Sequence, residues 1–188
     1  LAQAVGMSFF FIEGSQYTEP HSLARLTGSP TGYEGPDEGP LYLFAKDNPV
    51  GLVFIDELDK MHPEVLSGLM NFVDMGTITA GNAKTVRRPG LIIAGATNAG
   101  AEELKPGMSL RDVKELLAQR FVDGKGRKRP EIVSRFEPIP MLAIDLESFR
   151  DVLLLNMKQI GARHGFVTAN LRLNPEIDPA VLKLLYDS

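Results

Sequence analysis

The chain contains no cysteine. That excludes disulfides and thiolate metal sites, and it is compatible with a cytosolic protein. No apolar stretch approaches the roughly 20 residues that a membrane-spanning helix needs, so no membrane partner is expected. The opening Leu1-Ala-Gln-Ala-Val-Gly6 lacks the basic region of a secretory leader and reads as a helix end closed by Gly6. His21, His62 and His164 show no metal-ligand spacing and read as structural. No Ser-His-Asp arrangement, internal repeat or low-complexity segment is evident. The net charge of −4 gives no global attraction to nucleic acid or anionic membrane. What is present is an ordinary globular composition, 44% hydrophobic and 23% charged, over 188 residues. Such a length holds one domain with a sizeable core, or a domain and part of another.

The most informative stretch is Gly51-Leu-Val-Phe-Ile-Asp-Glu-Leu-Asp-Lys60. Val53, Phe54 and Ile55 are β-formers without a polar break, as in a strand buried on both faces. Asp56 and Glu57 follow at once. Successive strand residues point to opposite sides, so such a pair can divide its work. One carboxylate can anchor a hydrated Mg²⁺ while the other polarises a water. A buried strand that ends in an acidic turn would read the same way.

Around this run, hydrophobic period and punctuation mark further elements. Phe9–Ile12 reads as a short buried strand, and Pro20 opens a helix through Leu26 that Gly28 stops. Residues 28–40 are crowded with Gly and Pro and predict an irregular loop. Pro63 opens a helix with the stripe Leu66, Leu69, Met70 and Val73. Two short Thr-containing runs around Ala80-Gly-Asn-Ala83 suggest a hairpin. Leu91–Thr97 reads as another buried strand ending at Asn98, and 101–120 as helical with a break at Pro106-Gly107. Lys125–Arg129 reads as a solvated basic loop and Ile139–Leu142 as a possible last strand. Asp145 caps a helix with the stripe Leu146, Phe149, Val152, Leu153, Met157 and Ile160, stopped by Gly161, and a final helix begins at Asp178-Pro179. Alternating strands and helices predict a doubly wound α/β domain over 1–142, with a parallel sheet and flanking helices, then the start of a small helical domain over 143–188.

In order along the chain, these pieces resemble the AAA+ ATPases, specifically the Clp-type protein unfoldases of the ClpA/ClpB/ClpC branch and their second ATPase module. Tyr17, His21 and Arg25-Leu26 resemble the helix before the pore. Gly28-x-Pro30-x-Gly-Tyr33-x-Gly35 resembles the substrate loop, and Asp56-Glu57 with Lys60 and His62-Pro63 resembles the Walker B strand and its helix. Asp74-x-Gly76 with Thr79 resembles the lead into a second pore loop, Thr97-Asn98-x-Gly100 resembles sensor 1, and Pro130-Glu131-x-x-x-Arg135 resembles the arginine-finger segment.

The resemblance implies a P-loop NTPase-like fold, ATP and Mg²⁺ as cofactors, a homo-oligomeric ring, a hexamer, and a polypeptide client in the cytoplasm. It implies that Asp56 anchors Mg²⁺ through water, that Glu57 orients the attacking water, and that Asn98 hydrogen-bonds the γ-phosphate or that water. Arg135 would reach the neighbouring subunit's site. The residues alone also read as a turn-forming Asn98 before Ala-Gly and as one surface cation, Arg135, near Arg127, Lys128 and Arg129; a strand end beside the acidic pair favours sensor 1, and the Pro-Glu-x-x-x-Arg spacing favours the finger. The pattern departs from the family in lacking the Gly-x-x-x-x-Gly-Lys-[Ser/Thr] phosphate loop and the sensor 2 Gly-Ala-Arg, for which Ile160-Gly-Ala-Arg163 comes too early; Ser134 stands where Asn is usual. These departures point to a fragment of a larger ATPase, inactive by itself.

Gly32, Tyr33, Glu34 and Gly35 form the expected substrate grip. An aromatic between glycines on a mobile loop suits sequence-tolerant contact with an extended chain, unless the ring folds back on its own loop. Glu34, Asp37 and Glu38 make the loop acidic, where a nucleic-acid translocase needs Lys or Arg. That weighs against a DNA-directed remodeller, and nucleic acid is not expected as a partner.

Overall fold

In a computed structural model, the residues described are 6–88, 90–142 and 144–163. The segments at 1–5 and 178–188, and His164, lie outside them. Two compact units divide the chain, Leu1–Pro140 and Met141–Ser188.

The first unit is built on three parallel strands in the order β1-β2-β5: β1 (Ser8–Glu13), β2 (Gly51–Asp56) and β5 (Leu91–Gly95). Their register aligns Glu13 with Asp56 and Ile55 with Gly95, so all three strands end together at one side of the sheet. Helices α1 (Ser22–Thr27), α2 (Pro40–Asp47) and α3 (Pro63–Met75) lie between strands in sequence, and a two-stranded hairpin, β3 (Thr77–Thr79) with β4 (Thr85–Arg87), follows α3. This is an α/β fold with a parallel sheet and flanking helices. Helices α4 (Leu110–Arg120) and α5 (Pro130–Val133) complete the unit, and α6 (Leu146–Arg163) belongs to the second.

The core follows the strand period of two. Ile12, Val53 and Ile55 share one sheet face and pack with Leu26 of α1, Leu41 and Ala45 of α2, and Val65, Leu66 and Leu69 of α3. Pro63 sits in the first turn of α3, where its missing N–H is harmless, and Gly76 closes the helix in the left-handed region.

Several expectations need correction. β1 and β5 are not buried on both faces: Phe9, Phe11 and Ile92 are each about half exposed on the sheet face opposite the core. Both strands are sheet edges among the described residues, and β5 ends at Gly95 rather than Thr97. Helix α2 was not anticipated; it opens on Pro40 directly from the Gly/Pro-rich loop and buries Leu41, Tyr42 and Ala45. Helix α1 begins at Ser22, two residues after Pro20. The 101–120 segment splits into a short 3-10 turn, Ala101–Glu103, and α4, which starts at a Ser109–Asp112 capping box. Ile139–Leu142 is not a strand, and Ile139 and Met141 are largely exposed. Asp145 does cap α6, its Oδ1 accepting the Ser148 N–H at 2.7 Å, but the helix runs through Gly161 to Arg163. Within its stripe, Leu146 and Val152 are exposed. The basic loop is only partly solvated: Arg129 is drawn inward by the buried Asp123 at 3.1 Å.

Candidate functional site

The aligned strand ends gather the acidic residues. Asp56 ends β2 and its Oδ1 accepts the Glu57 backbone N–H at 2.9 Å. Glu57 then leaves the strand in a left-handed conformation, φ 48° and ψ 47°. The division between the two carboxylates is therefore set by this turn and not by strand alternation alone. The turn is closed by the Glu57 carbonyl, which accepts from Lys60 N–H at 2.9 Å. It is also pressed against the end of β1: a Cβ on Gly14 would lie 2.3 Å from the Glu57 carbonyl oxygen. Only glycine permits that approach. Asp56 and Glu57 are both half-buried.

The segment after β5 is drawn to the same end. Ala96 N–H donates to the Ile55 carbonyl at 2.8 Å, and Leu58 N–H donates to the Ala96 carbonyl at 2.9 Å. The Thr97 hydroxyl donates to Asp59 Oδ1 at 2.7 Å and accepts from Ala99 N–H at 3.1 Å. Asn98 follows, exposed, its carbonyl closing the turn to Ala101. Asp56, Glu57 and the Asn98 segment thus meet at the carboxyl end of the parallel sheet, where open α/β sheets take ligands. Gly14 and Asp59 were not singled out in sequence, and Thr97 was named only within the Thr97-Asn98-x-Gly100 pattern, without its bond to Asp59. The signal available was a Thr directly before the candidate Asn, and an Asp two residues past Glu57.

The donors here are oxygens, which suits a hard cation such as Mg²⁺. Among the described residues no group of three or more His, Cys, Asp or Glu could hold a metal. A cation at Asp56 would therefore draw its remaining ligands from water and phosphate, as Mg²⁺ does beside one or two carboxylates.

Arg135, just past α5, is not brought to this group. Its Nε lies 2.8 and 3.0 Å from the two Asp74 carboxylate oxygens near the end of α3, and its Nη1 donates to the Glu131 carbonyl. The Asp74 hydrogen bond, more than the opposing desolvation, raises the Arg135 pKa. The preceding segment is pinned separately. Asp123, without side-chain exposure, accepts the Lys125 and Arg127 N–H groups and Arg129 Nη1, and Arg129 also pairs with Glu131 and donates to Ser67.

Tyr33 is 75% exposed at the tip of its loop, with Gly32 and Gly35 at positive φ of 94° and 116°. Glu34 is exposed as well. The ring does not fold back. His62, in contrast, is buried, its Nδ1 accepting the Glu64 N–H at 3.3 Å as a helix cap. Tyr17, whose carbonyl accepts the His62 N–H, carries the Arg25 guanidinium 5.3 Å from its ring centroid.

A family profile described as AAA domain (Cdc48 subfamily) matches residues 2–139. The chain belongs to the AAA family. Within it the similarity is to the Clp/Hsp104 branch. The chaperone ClpB of Oceanobacillus iheyensis is 33% identical over 162 residues, 81% of this chain and 20% of the relative. The competence regulator ClpC/MecB of Bacillus subtilis is 31% identical over 180 residues, 87% of this chain and 22% of the relative. Among solved structures, the closed-state cryo-EM reconstruction of Hsp104 with ATPγS and FITC casein matches with a TM-score of 0.68 and 26% identity, over 82% of this chain and 27% of that one. The AAA domain described here thus spans about a fifth to a quarter of these relatives. Among the described residues no helix is long and apolar enough to cross a membrane.

Proposed function

We propose that this AAA domain is the central part of a ring-forming, cytoplasmic ATPase that uses ATP hydrolysis to unfold, disaggregate or thread polypeptides. The observation that carries the reading is the pairing of two separate sites in one unit. Acidic residues converge at the carboxyl end of the sheet, and an exposed Tyr33 stands on a glycine-flanked loop. Asp56 would hold the hydrated Mg²⁺. Glu57, turned out of the strand, would take a proton from the attacking water, and Asn98 would hydrogen-bond that water or the γ-phosphate. Bound Mg-ATP supplies the phosphoanhydride whose cleavage drives the cycle. Arg135 would stabilise transition-state charge in the neighbouring subunit's site. Tyr33 would grip the client by its ring face, without sequence preference.

The test measures ATPase and client unfolding side by side in the intact ring. Glu57→Gln should retain nucleotide binding and lose roughly 10²–10⁴ in turnover. Tyr33→Ala should keep hydrolysis and lose unfolding, and Tyr33→Phe should keep both. Hydrolysis at the parental rate in Glu57→Gln, or normal unfolding in Tyr33→Ala, would overturn the corresponding half of the proposal.

A further inference from the structure

The loop that carries Tyr33 is free at its tip and clamped at its base. Ser29 N–H donates to the Pro36 carbonyl and Gly39 N–H to the Thr27 carbonyl, both at 2.9 Å, so the loop closes on itself below the tip. The hairpin between β3 and β4 then docks against that base. Gly81 N–H donates to the Asp37 carbonyl at 2.9 Å, and a Cβ on Gly81 would lie 1.9 Å from the Ser29 carbonyl oxygen and 2.3 Å from its carbon. The obstruction is backbone, which no rotamer change can relieve. Gly28 meets the other side of the loop as closely, its Cβ position 2.2 Å from the Asp37 carbonyl oxygen. Around this backbone contact, Glu38 bridges Lys84 of the hairpin at 3.1 Å and Lys46 of α2 at 3.0 Å. The hairpin is itself tied to α2, because Arg88 Nη2 donates to the Lys46 carbonyl at 2.8 Å.

We infer that the β3–β4 hairpin is the positioning element of the Tyr33 loop, with Gly81 as the contact that sets its height and Glu38 as the charged brace. The inference rests on the reading of Tyr33 as the client grip. Its physical content is that the base of the loop moves with α2 and the hairpin as one body, which limits the excursion of the tip. Force on a threaded chain is then borne by two backbone hydrogen bonds within the loop, a third from the hairpin, and two ion pairs. The ion pairs are solvent-facing and contribute little alone; the backbone contact is what places the loop.

The chain has no tryptophan, so Tyr33→Trp gives a reporter at the tip. In the 188-residue Tyr33→Trp chain, adding Gly81→Ala should increase the amplitude of nanosecond depolarisation in time-resolved anisotropy, with the melting temperature little changed. Amide exchange at Ser29 and Gly39 should accelerate roughly 5- to 30-fold, as local weakening by one or two kcal/mol requires. Glu38→Ala should move both readouts in the same direction by less, and Lys84→Arg should leave them unchanged. If Gly81→Ala does not fold, amide exchange in the Tyr33→Trp chain itself decides the matter: Ser29, Gly39 and Gly81 amides that exchange as fast as the Glu34 amide at the tip would overturn the clamp. Unchanged anisotropy and unchanged exchange in the folded variants would overturn the clamp. These measurements need no client. Normal unfolding by Tyr33→Ala in the ring would remove the grip while leaving a detected clamp standing.

Discussion

Glu57 adopts a backbone conformation that non-glycine residues avoid, φ 48° and ψ 47°, at a cost of about 1–3 kcal/mol. The surroundings hold it there. Its N–H is taken by Asp56 and its carbonyl by Lys60, and the β1 exit presses on it at Gly14. The Thr97–Asp59 hydrogen bond holds the other half of the site, joining the Asn98 segment to the turn that follows Glu57. Asp59 is only 17% exposed, and a hydrogen bond to a charged group contributes about 1.5–3 kcal/mol. Thr97→Val keeps the shape and removes the donor. If Asn98 acts as proposed, Thr97→Val is expected to lower kcat for ATP hydrolysis in the intact protein more than it raises KM, because it would displace Asn98 and leave nucleotide contacts elsewhere alone. Thr97→Ser should restore the rate. A Thr97→Val enzyme with unaltered kcat would show that Asn98 needs no such support.

At the level of elements, what was legible in the sequence was periodic or punctuated. β2 and α3 could be read because Val53–Ile55 and the Leu66, Leu69, Met70 stripe carry their periods, and Pro63 and Gly76 mark the ends of α3. Helix α2 was hidden because its eight residues leave a Gly/Pro-rich loop with little room for a period to show. The apolar runs of β1, aromatic, and of β5, aliphatic, suggested buried strands, but strand composition does not reveal which strands are edges. At the site, Asp56 was legible as the end of β2 with Glu57 directly after it, whereas Asn98, expected at a strand end, lies in the segment beyond β5, which stops at Gly95. The Asp74–Arg135 and Asp123–Arg129 pairs were not, since the first joins residues 61 positions apart and the second makes sense only once Asp123 is known to be buried. Asp123 makes its segment sensitive to acid. Burial pushes its carboxyl pKa up, but the Arg127 and Lys125 N–H groups and the Arg129 guanidinium together bring it below the ordinary value. A carboxyl lowered by folding contributes stability that is complete above the unfolded pKa of about 4 and is lost as pH falls through the folded one. Thermal melts should therefore show a loss of stability below about pH 4 that is smaller in Asp123→Asn, which starts from a lower stability at pH 7. Equal acid sensitivity in the two proteins would assign the effect to other carboxylates.

On the scale of the whole molecule, the position of Arg135 raises a question of exchange. In a single chain its guanidinium is satisfied by Asp74 and by the Glu131 carbonyl, whereas the proposed finger role would have it reach phosphate in a neighbouring subunit. The two demands are compatible because the pair is surface-lying, with the Arg135 side chain 32% and the Asp74 side chain 43% exposed. Exposed ion pairs hold weakly and part readily. A phosphate carries more charge than one carboxylate and offers the guanidinium the same forked geometry. The anchored Asp123–Arg129 segment would keep the base of the proposed finger fixed if the side chain changed partner. Two opposing expectations follow for the intact ring. If Arg135 serves the neighbour, Arg135→Ala should cut hydrolysis by roughly 10³-fold or more with nucleotide binding retained. Mixing it with Glu57→Gln subunits should restore part of the activity, since each mutant then supplies what the other lacks. Asp74→Asn, which frees the finger, should leave hydrolysis near the parental rate. If instead the pair is only a structural tie between α3 and the segment after α5, Asp74→Asn and Arg135→Ala should destabilise alike and hydrolyse alike, and mixed rings should gain nothing. ATPase rates of the two variants and of the mixed ring, measured with their melting temperatures, separate the alternatives.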